Sequence, residues 1–173
     1  ITHTPGHTMQ VDWAGTKMRL FDPYGAPGVK VSVFVASMPY SGMIFALACP
    51  DERQHSWLDA HHHAFAYFGG VPEVVVPDNA STASNAISAA DRNRKVNDTY
   101  EQFLEHYNTA ALPTRSKRPK DKANVEAAVK IVTHKVIHAL DGHQCVDLDE
   151  LNTRIRQLVD QINQAVPFRH QQS

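Results

Sequence analysis

The chain has 173 residues, 42% of them hydrophobic and 20% charged, and a formal net charge of −1. That is the balance of a globular domain long enough to bury a core without disulfide or metal staples. The two cysteines, Cys49 and Cys145, form no CxxC pair, no apolar run nears the ~20 residues of a membrane span, and Ile1 to Pro5 do not resemble a signal peptide.

Along the chain, Met9, Val11 and Trp13 alternate with Gln10, Asp12 and Ala14, the pattern of a strand with two unlike faces. Gly15-Thr16 turns the chain, and Met18 to Phe21 is expected to pair back as a hairpin arm. Val29 to Ala36 is apolar on both faces and reads as a central strand, and Met43 to Ala48 as the next one. Asp51 is the expected N-cap of a helix carrying Trp57, His61, Ala64, Phe65 and Phe68, stopped by Gly69-Gly70.

Glu73 to Val76 is a short buried strand ended by Pro77. Residues 80–95 read as a polar loop, after which Asn97 is the expected cap of a second helix bearing Tyr100, Phe103, Leu104 and Tyr107. A short strand, Thr109 to Leu112, precedes a basic, proline-bearing loop. Asp121 is then expected to cap a long helix with Val125, Ala128, Val129, Val132 and Val136 on its core face, ended by Asp141-Gly142. Leu148, Leu151, Ile155, Leu158 and Ile162 form the seam of a last helix. Antiparallel strands followed by alternation with helices predict an α/β fold, a mixed five-stranded sheet with helices on both faces plus a C-terminal helix. The expected division is a core over residues 1–145 and, over 146–173, that helix with the start of a linker to a further domain. A first residue other than Met, close to the first strand, suggests a piece of a longer protein.

Three carboxylates occupy unusual positions. Asp12 lies inside a strand, where Asp is depleted. Asp78 follows a short valine strand, at the end where ligands gather in open α/β sheets. Glu126 lies near the start of the long helix, beside its core stripe. Brought together, such acids repel by about 4 kcal/mol per pair at ~4 Å and an effective dielectric near 20. A divalent, oxygen-seeking ion removes that cost. Taken singly, each acid has an ordinary explanation as a turn or surface residue.

The segments Val11-Asp12-Trp13-Ala14-Gly15, Val76-Pro77-Asp78-Asn79 and Pro119 to Glu126, the last ending in a Lys-x-x-x-Glu pattern, resemble the integrase core of IstA-type insertion-sequence transposases. That family belongs to the DDE, retroviral-integrase-like superfamily with an RNase H-like fold. The resemblance implies that Asp12, Asp78 and Glu126 are the catalytic, metal-binding triad for two Mg²⁺ (or Mn²⁺) ions, with Asp12 shared between them. It implies metal-dependent DNA strand cleavage and strand transfer, acting on transposon-end and target DNA. It also implies a multimeric enzyme, an AAA+ ATPase partner of the IstB kind, no membrane association and a bacterial cytoplasmic, nucleoid-associated setting. The family's helix-turn-helix region and C-terminal barrel have no counterpart in these residues.

Lys122, Glu126 and Lys130 stand four apart on one helix face, which admits either an i, i+4 salt-bridge column or a catalytic acid flanked by phosphate-binding lysines. On the second reading Arg115, Lys117, Arg118 and Lys120 extend a DNA track. Arg92, Arg94 and Lys95 form another basic cluster. His61-His62-His63 cannot share one helix face, and His134 and His138 lack the intervening Glu of a metalloprotease helix. Two other readings keep the fold: an RNase H-like nuclease that never joins strands, and an inactive DNA- or protein-binding remnant.

Overall fold

The computed structural model describes residues 7–77, 90–112 and 119–166, with side chains throughout except at 90–97 and 119–123. In chain order it contains β1 (Thr8–Trp13), β2 (Met18–Phe21), β3 (Pro27–Met38), β4 (Met43–Cys49), α1 (Gln54–Phe68), β5 (Val74–Pro77), α2 (Ala90–His106), β6 (Ala110–Ala111), α3 (Pro119–Val132), a π turn (Thr133–Ile137) and α4 (Leu148–Gln164).

The long strand β3 is the spine of a six-stranded mixed sheet. β4 lies antiparallel along one side of it and β1 along the other, while β5 runs parallel to β1 and β6 parallel to β5. The sixth strand is β2. The expected hairpin with β1 does not form, because β2 instead pairs antiparallel with residues 27–31 of β3. Asp22 closes a tight turn, its carboxylate accepting from Tyr24 N–H and Ala26 N–H at 2.8 Å each. That turn makes β2 and β3 the hairpin, so β2 prolongs β1's course along the same partner.

Strand alternation divides the core in two. Met9, Val11, Trp13, Phe34, Ala36 and Phe45 face α1 and α2, packing with Trp57, Phe65 and Leu104. Ala14, Val31, Val33, Val35, Ile44, Ala46 and Ala48 face α3 and α4, packing with Ala128, Val132, Ile155 and Val159. Helices therefore cover both faces, as β-branched strands apolar on both sides require.

α4 also covers the outer edge of β4. The Asn163 amide accepts from Ile44 N–H at 2.9 Å and donates to Ile44 C=O at 2.8 Å. The Asn152 amide repeats the arrangement on Ala48, at 2.7 and 3.0 Å. Two side chains thus occupy backbone groups that an open strand edge leaves unpaired. Asp147 caps α4 by accepting from Glu150 N–H at 2.8 Å, and Glu150 reaches back to Val146 N–H at 2.9 Å, a reciprocal cap.

Three expected helix starts are shifted. Arg53, not Asp51, is the N-cap of α1, and Asp51 instead accepts from Arg53 N–H and Ser56 Oγ–H, both at 2.9 Å. α2 begins at Ala90, so residues 90–95 are helical rather than loop, consistent with the Ala, Arg and Lys content there. α3 begins at Pro119, whose fixed φ suits a first helical residue, so Asp121 lies inside the helix. The stripe on α3 continues through the π turn, where His138 N–H reaches Thr133 C=O at 2.9 Å, and keeps Val136 buried.

Candidate active site

Asp12 is half-buried near the carboxyl end of β1, level with Val35 of β3. Alternation turns it, with Gln10 and Ala14, toward the α3 side of the sheet. Its carboxylate accepts the N–H of Trp13 at 2.8 Å. On β1's other flank the parallel register sets Val11 beside Pro77. The two chain segments thus reach the same level of the sheet immediately before Asp12 and Asp78. Asp78 itself lies outside the described residues, as do Arg115, Lys117 and Arg118, and the side chains of Lys120 and Lys122.

α3 packs across β1 and β3. Val125, Ala128 and Val132 are buried beneath it, and this turns Glu126 and Lys130 outward. Both are exposed, and among the described residues no ion pair involves either one. A salt bridge between Glu126 and Lys130 is therefore absent, and the carboxylate stands open to solvent on the helix that covers Asp12's strand.

Gln10 was placed on the face of Asp12 by alternation, but its burial was not legible. It is 1% exposed, and among the described residues neither its amide oxygen nor its amide nitrogen has a hydrogen-bond partner. Ser37, its cross-strand neighbour, is 5% exposed, and its hydroxyl too has no partner among the described residues. A polar pair thus lies in the sheet directly behind Asp12, where water or a catalytic group is the ordinary reason for such atoms. The signal in sequence is a Gln at i−2 of a strand Asp, too common to single out.

The histidines take separate partners. His61 is fully buried, its Nδ1–H donating to Trp57 C=O at 2.8 Å and its Nε2 accepting from Tyr100 O–H at 2.9 Å. Burial holds its pKa down to about 4, so the ring is neutral. His62 bonds Tyr107 and His63 approaches Asp59 at 3.6 Å. His134 and His138 meet edge to face, with ring centroids 5.5 Å apart. Among the described residues, no group of three or more His, Cys, Asp or Glu side chains is gathered as a metal site.

Comparison with known proteins settles the family. The integrase core domain matches residues 2–119.

The chain belongs to the integrase core domain family.

The match takes in Asp12 and Asp78 and ends before Glu126. The chain is 36% identical over 168 residues to the protein assigned as transposase of insertion sequence IS1162 of Pseudomonas fluorescens, covering 96% of this chain and 29% of that one. It is 35% identical over 168 residues to the corresponding IS408 protein of Burkholderia multivorans, covering 96% and 32%. This integrase core thus spans about a third of the length of the curated relatives it matches. Among solved structures, the HTLV-2 integrase catalytic core domain in complex with magnesium superposes with a TM-score of 0.61 at 16% identity, covering 92% of this chain and 87% of that one. The simian T-cell lymphotropic virus intasome, in complex with a PP2A regulatory subunit, gives 0.63 at 14% identity, covering 90% and 47%. The fold is accordingly that of integrase catalytic cores, the RNase H-like mixed sheet. Among the described residues no helix is long and apolar enough to cross a membrane.

Proposed function

We propose that this chain is the catalytic domain of a transposase that cuts and joins DNA, with Asp12, Asp78 and Glu126 as its catalytic and metal-holding carboxylates. One observation carries the reading. The β1–β5 register brings the residues before Asp12 and Asp78 side by side, under a helix that presents an exposed Glu126 with no ion pair among the described residues. Family membership and the integrase-like fold support it.

The donor set suits a hard divalent ion, because all three side chains offer carboxylate oxygen. When bound, Mg²⁺ or Mn²⁺ ions supply charge for the attacking and leaving oxygens of an in-line displacement at phosphorus. The chain's own residues do the positioning. β1 holds Asp12 on the sheet through the Trp13 N–H, and the buried stripe of α3 fixes the direction of Glu126. Lys130, one turn beyond Glu126, offers a cation to a phosphate, and Lys122, Lys120, Arg118, Lys117 and Arg115 are proposed to continue that track. Water is the nucleophile for cleavage and a DNA 3′-hydroxyl for joining. The proposed partners are transposon-end and target DNA, further copies of the enzyme and an AAA+ ATPase of the IstB kind. The proposed division of the chain is a core over 1–145, then the C-terminal helix leading into a linker.

The test is Mn²⁺-dependent nicking and strand transfer on an oligonucleotide carrying the element end, using a longer protein that includes the family's DNA-binding region. Asp12→Asn, Asp78→Asn and Glu126→Gln should each abolish both reactions while retaining DNA binding and cooperative melting. Wild-type rates in any one of them would remove that residue from the triad. Cleavage without joining by the parent protein would make it a nuclease instead.

A further inference from the structure

A two-stranded ribbon extends from the end of the sheet that carries Asp12. β1 pairs with residues 34–37 of β3, and β2 takes up the same strand at residues 27–31. The chain therefore runs past Asp12 and out along β3 to a tip at residues 22–26. The inner side of this ribbon is committed to the fold. Met18 and Leu20 pack on the α3–α4 core, and Phe21 N–H donates to Cys145 C=O at 2.9 Å. The tip is firmly built, with Gly25 at φ 89° and the Asp22 carboxylate consumed by the turn.

The outer side carries a different pattern. Arg19 and Lys30 are direct cross-strand partners and both are exposed. Lys17, two residues before Arg19, is exposed as well. Like charges directly opposite each other on a two-stranded ribbon are destabilising. Among the described residues no carboxylate pairs with any of the three, and the one contact of the Arg19 guanidinium is a 2.7 Å bond from Nη1 to Gly28 C=O. At the tip Tyr24 is 95% exposed, an aromatic ring open to solvent among the described residues. Cations along an extended backbone with a bare aromatic at the tip of the same ribbon make a phosphate track with a stacking platform. An acidic peptide would satisfy the cations but leave the ring without a role.

We propose that the β2–β3 ribbon is a DNA-binding arm, with Lys17, Arg19 and Lys30 on backbone phosphates and Tyr24 stacked on an unpaired base. The arm rests on the reading of the chain as a DNA-acting domain, but its residues are separate from the carboxylates and from the α3 track. It engages a stretch of DNA on the other side of the ribbon from the face to which Asp12 belongs.

The experiment is a fluorescence anisotropy titration of this chain with a labelled duplex, blunt or with a single-stranded overhang, between about 50 mM and about 200 mM salt. Lys17→Gln with Lys30→Gln should lower the log–log salt slope on the blunt duplex by about 1.8 and weaken binding at every sequence tested. Tyr24→Ala should weaken the overhang complex by about fivefold or more and leave the blunt duplex unchanged. All three positions are exposed and the Lys30 change relieves its opposition to Arg19, so melting temperatures should not fall below the parent and any loss is one of binding. Unchanged affinity and slope in the double lysine variant would overturn the arm, as would a parent chain that binds neither DNA. Displacement of the parent chain by a polyglutamate peptide, with DNA binding indifferent to the variants, would assign the surface to a protein partner and equally overturn it. Metal-dependent cleavage by the longer parent protein separates this proposal from the preceding one: its absence, with the binding losses here intact, would sink the catalytic reading and leave the arm.

Discussion

Gln10 and Ser37 face each other across the β1–β3 pairing, both buried, and among the described residues no side-chain polar atom of either has a hydrogen-bond partner. A buried amide without partners costs about 1–3 kcal/mol. Gln10→Met keeps the length of the side chain and removes the polar atoms. It should raise the melting temperature, by about 2–4 °C for each kcal/mol recovered in a domain of this size. Differential scanning calorimetry decides, and an unchanged or lower value would mean that the amide is hydrated in the folded protein.

Divalent metal should stabilise the fold through the proposed triad. At Mg²⁺ or Mn²⁺ about tenfold above its dissociation constant, linkage contributes roughly 1.4 kcal/mol. Asp12→Asn should reduce that thermal shift and raise the stability measured without metal, since one of three mutually repelling charges is gone. No shift in the parent chain at saturating metal would count against the site.

Lys130 should matter to DNA and not to folding. It makes no ion pair with Glu126 among the described residues, so Lys130→Ala should cost less than the ~0.2–0.5 kcal/mol of a helical salt bridge. Element-end binding by the longer protein should weaken across sequences, with the salt slope falling by about 0.9. A retained slope would place the DNA path elsewhere.

The edge of β4 depends on two amides. Asn163→Leu strands the N–H and C=O of Ile44 in a nearly buried place, and should cost about 1–3 kcal/mol in urea denaturation. Asn152→Ala leaves Ala48 nearer to solvent and should cost less. Equal, negligible losses from both would show that the helix covers the edge by apolar packing alone.

His61 makes stability depend on pH. Its folded pKa of about 4 lies below the ordinary 6.5, first because of burial and against the opposing effect of its bond to Trp57. The unfolded chain then binds the extra proton between these values. The contribution is fully present above pH ~6.5 and falls away as pH drops toward ~4, amounting to a few kcal/mol. His61→Leu should flatten the stability profile across that window relative to the parent. An equally steep profile in the variant would assign the acid sensitivity to other groups.

Much of this protein is determined by local sequence. Strand alternation around Asp12, the double-faced apolar run of β3 and the seam of α4 each follow from side-chain period, because one buried face must repeat at two or at about 3.6 residues. Asp12 stood out in the sequence for a related reason: it sits where a strand rarely tolerates an acid. Helix starts were less legible: Asp51 and Asp121 lie within two residues of theirs, but Asn97 falls in the middle of a helix that begins at Ala90, since each is a plausible cap in isolation.

Tertiary structure alone decided the rest. Met18 to Phe21 carries nothing that tells it to pair with β3 rather than β1; the Asp22 turn and the packing of Met18 and Leu20 against the core make that choice. The burial of Gln10 with Ser37, the missing Glu126–Lys130 bridge and the amides of Asn152 and Asn163 on β4 all join residues distant in sequence or depend on a neighbouring element. Periodicity records which side of an element is apolar, but the partner of a polar group is set only when another part of the chain arrives to supply or withhold it.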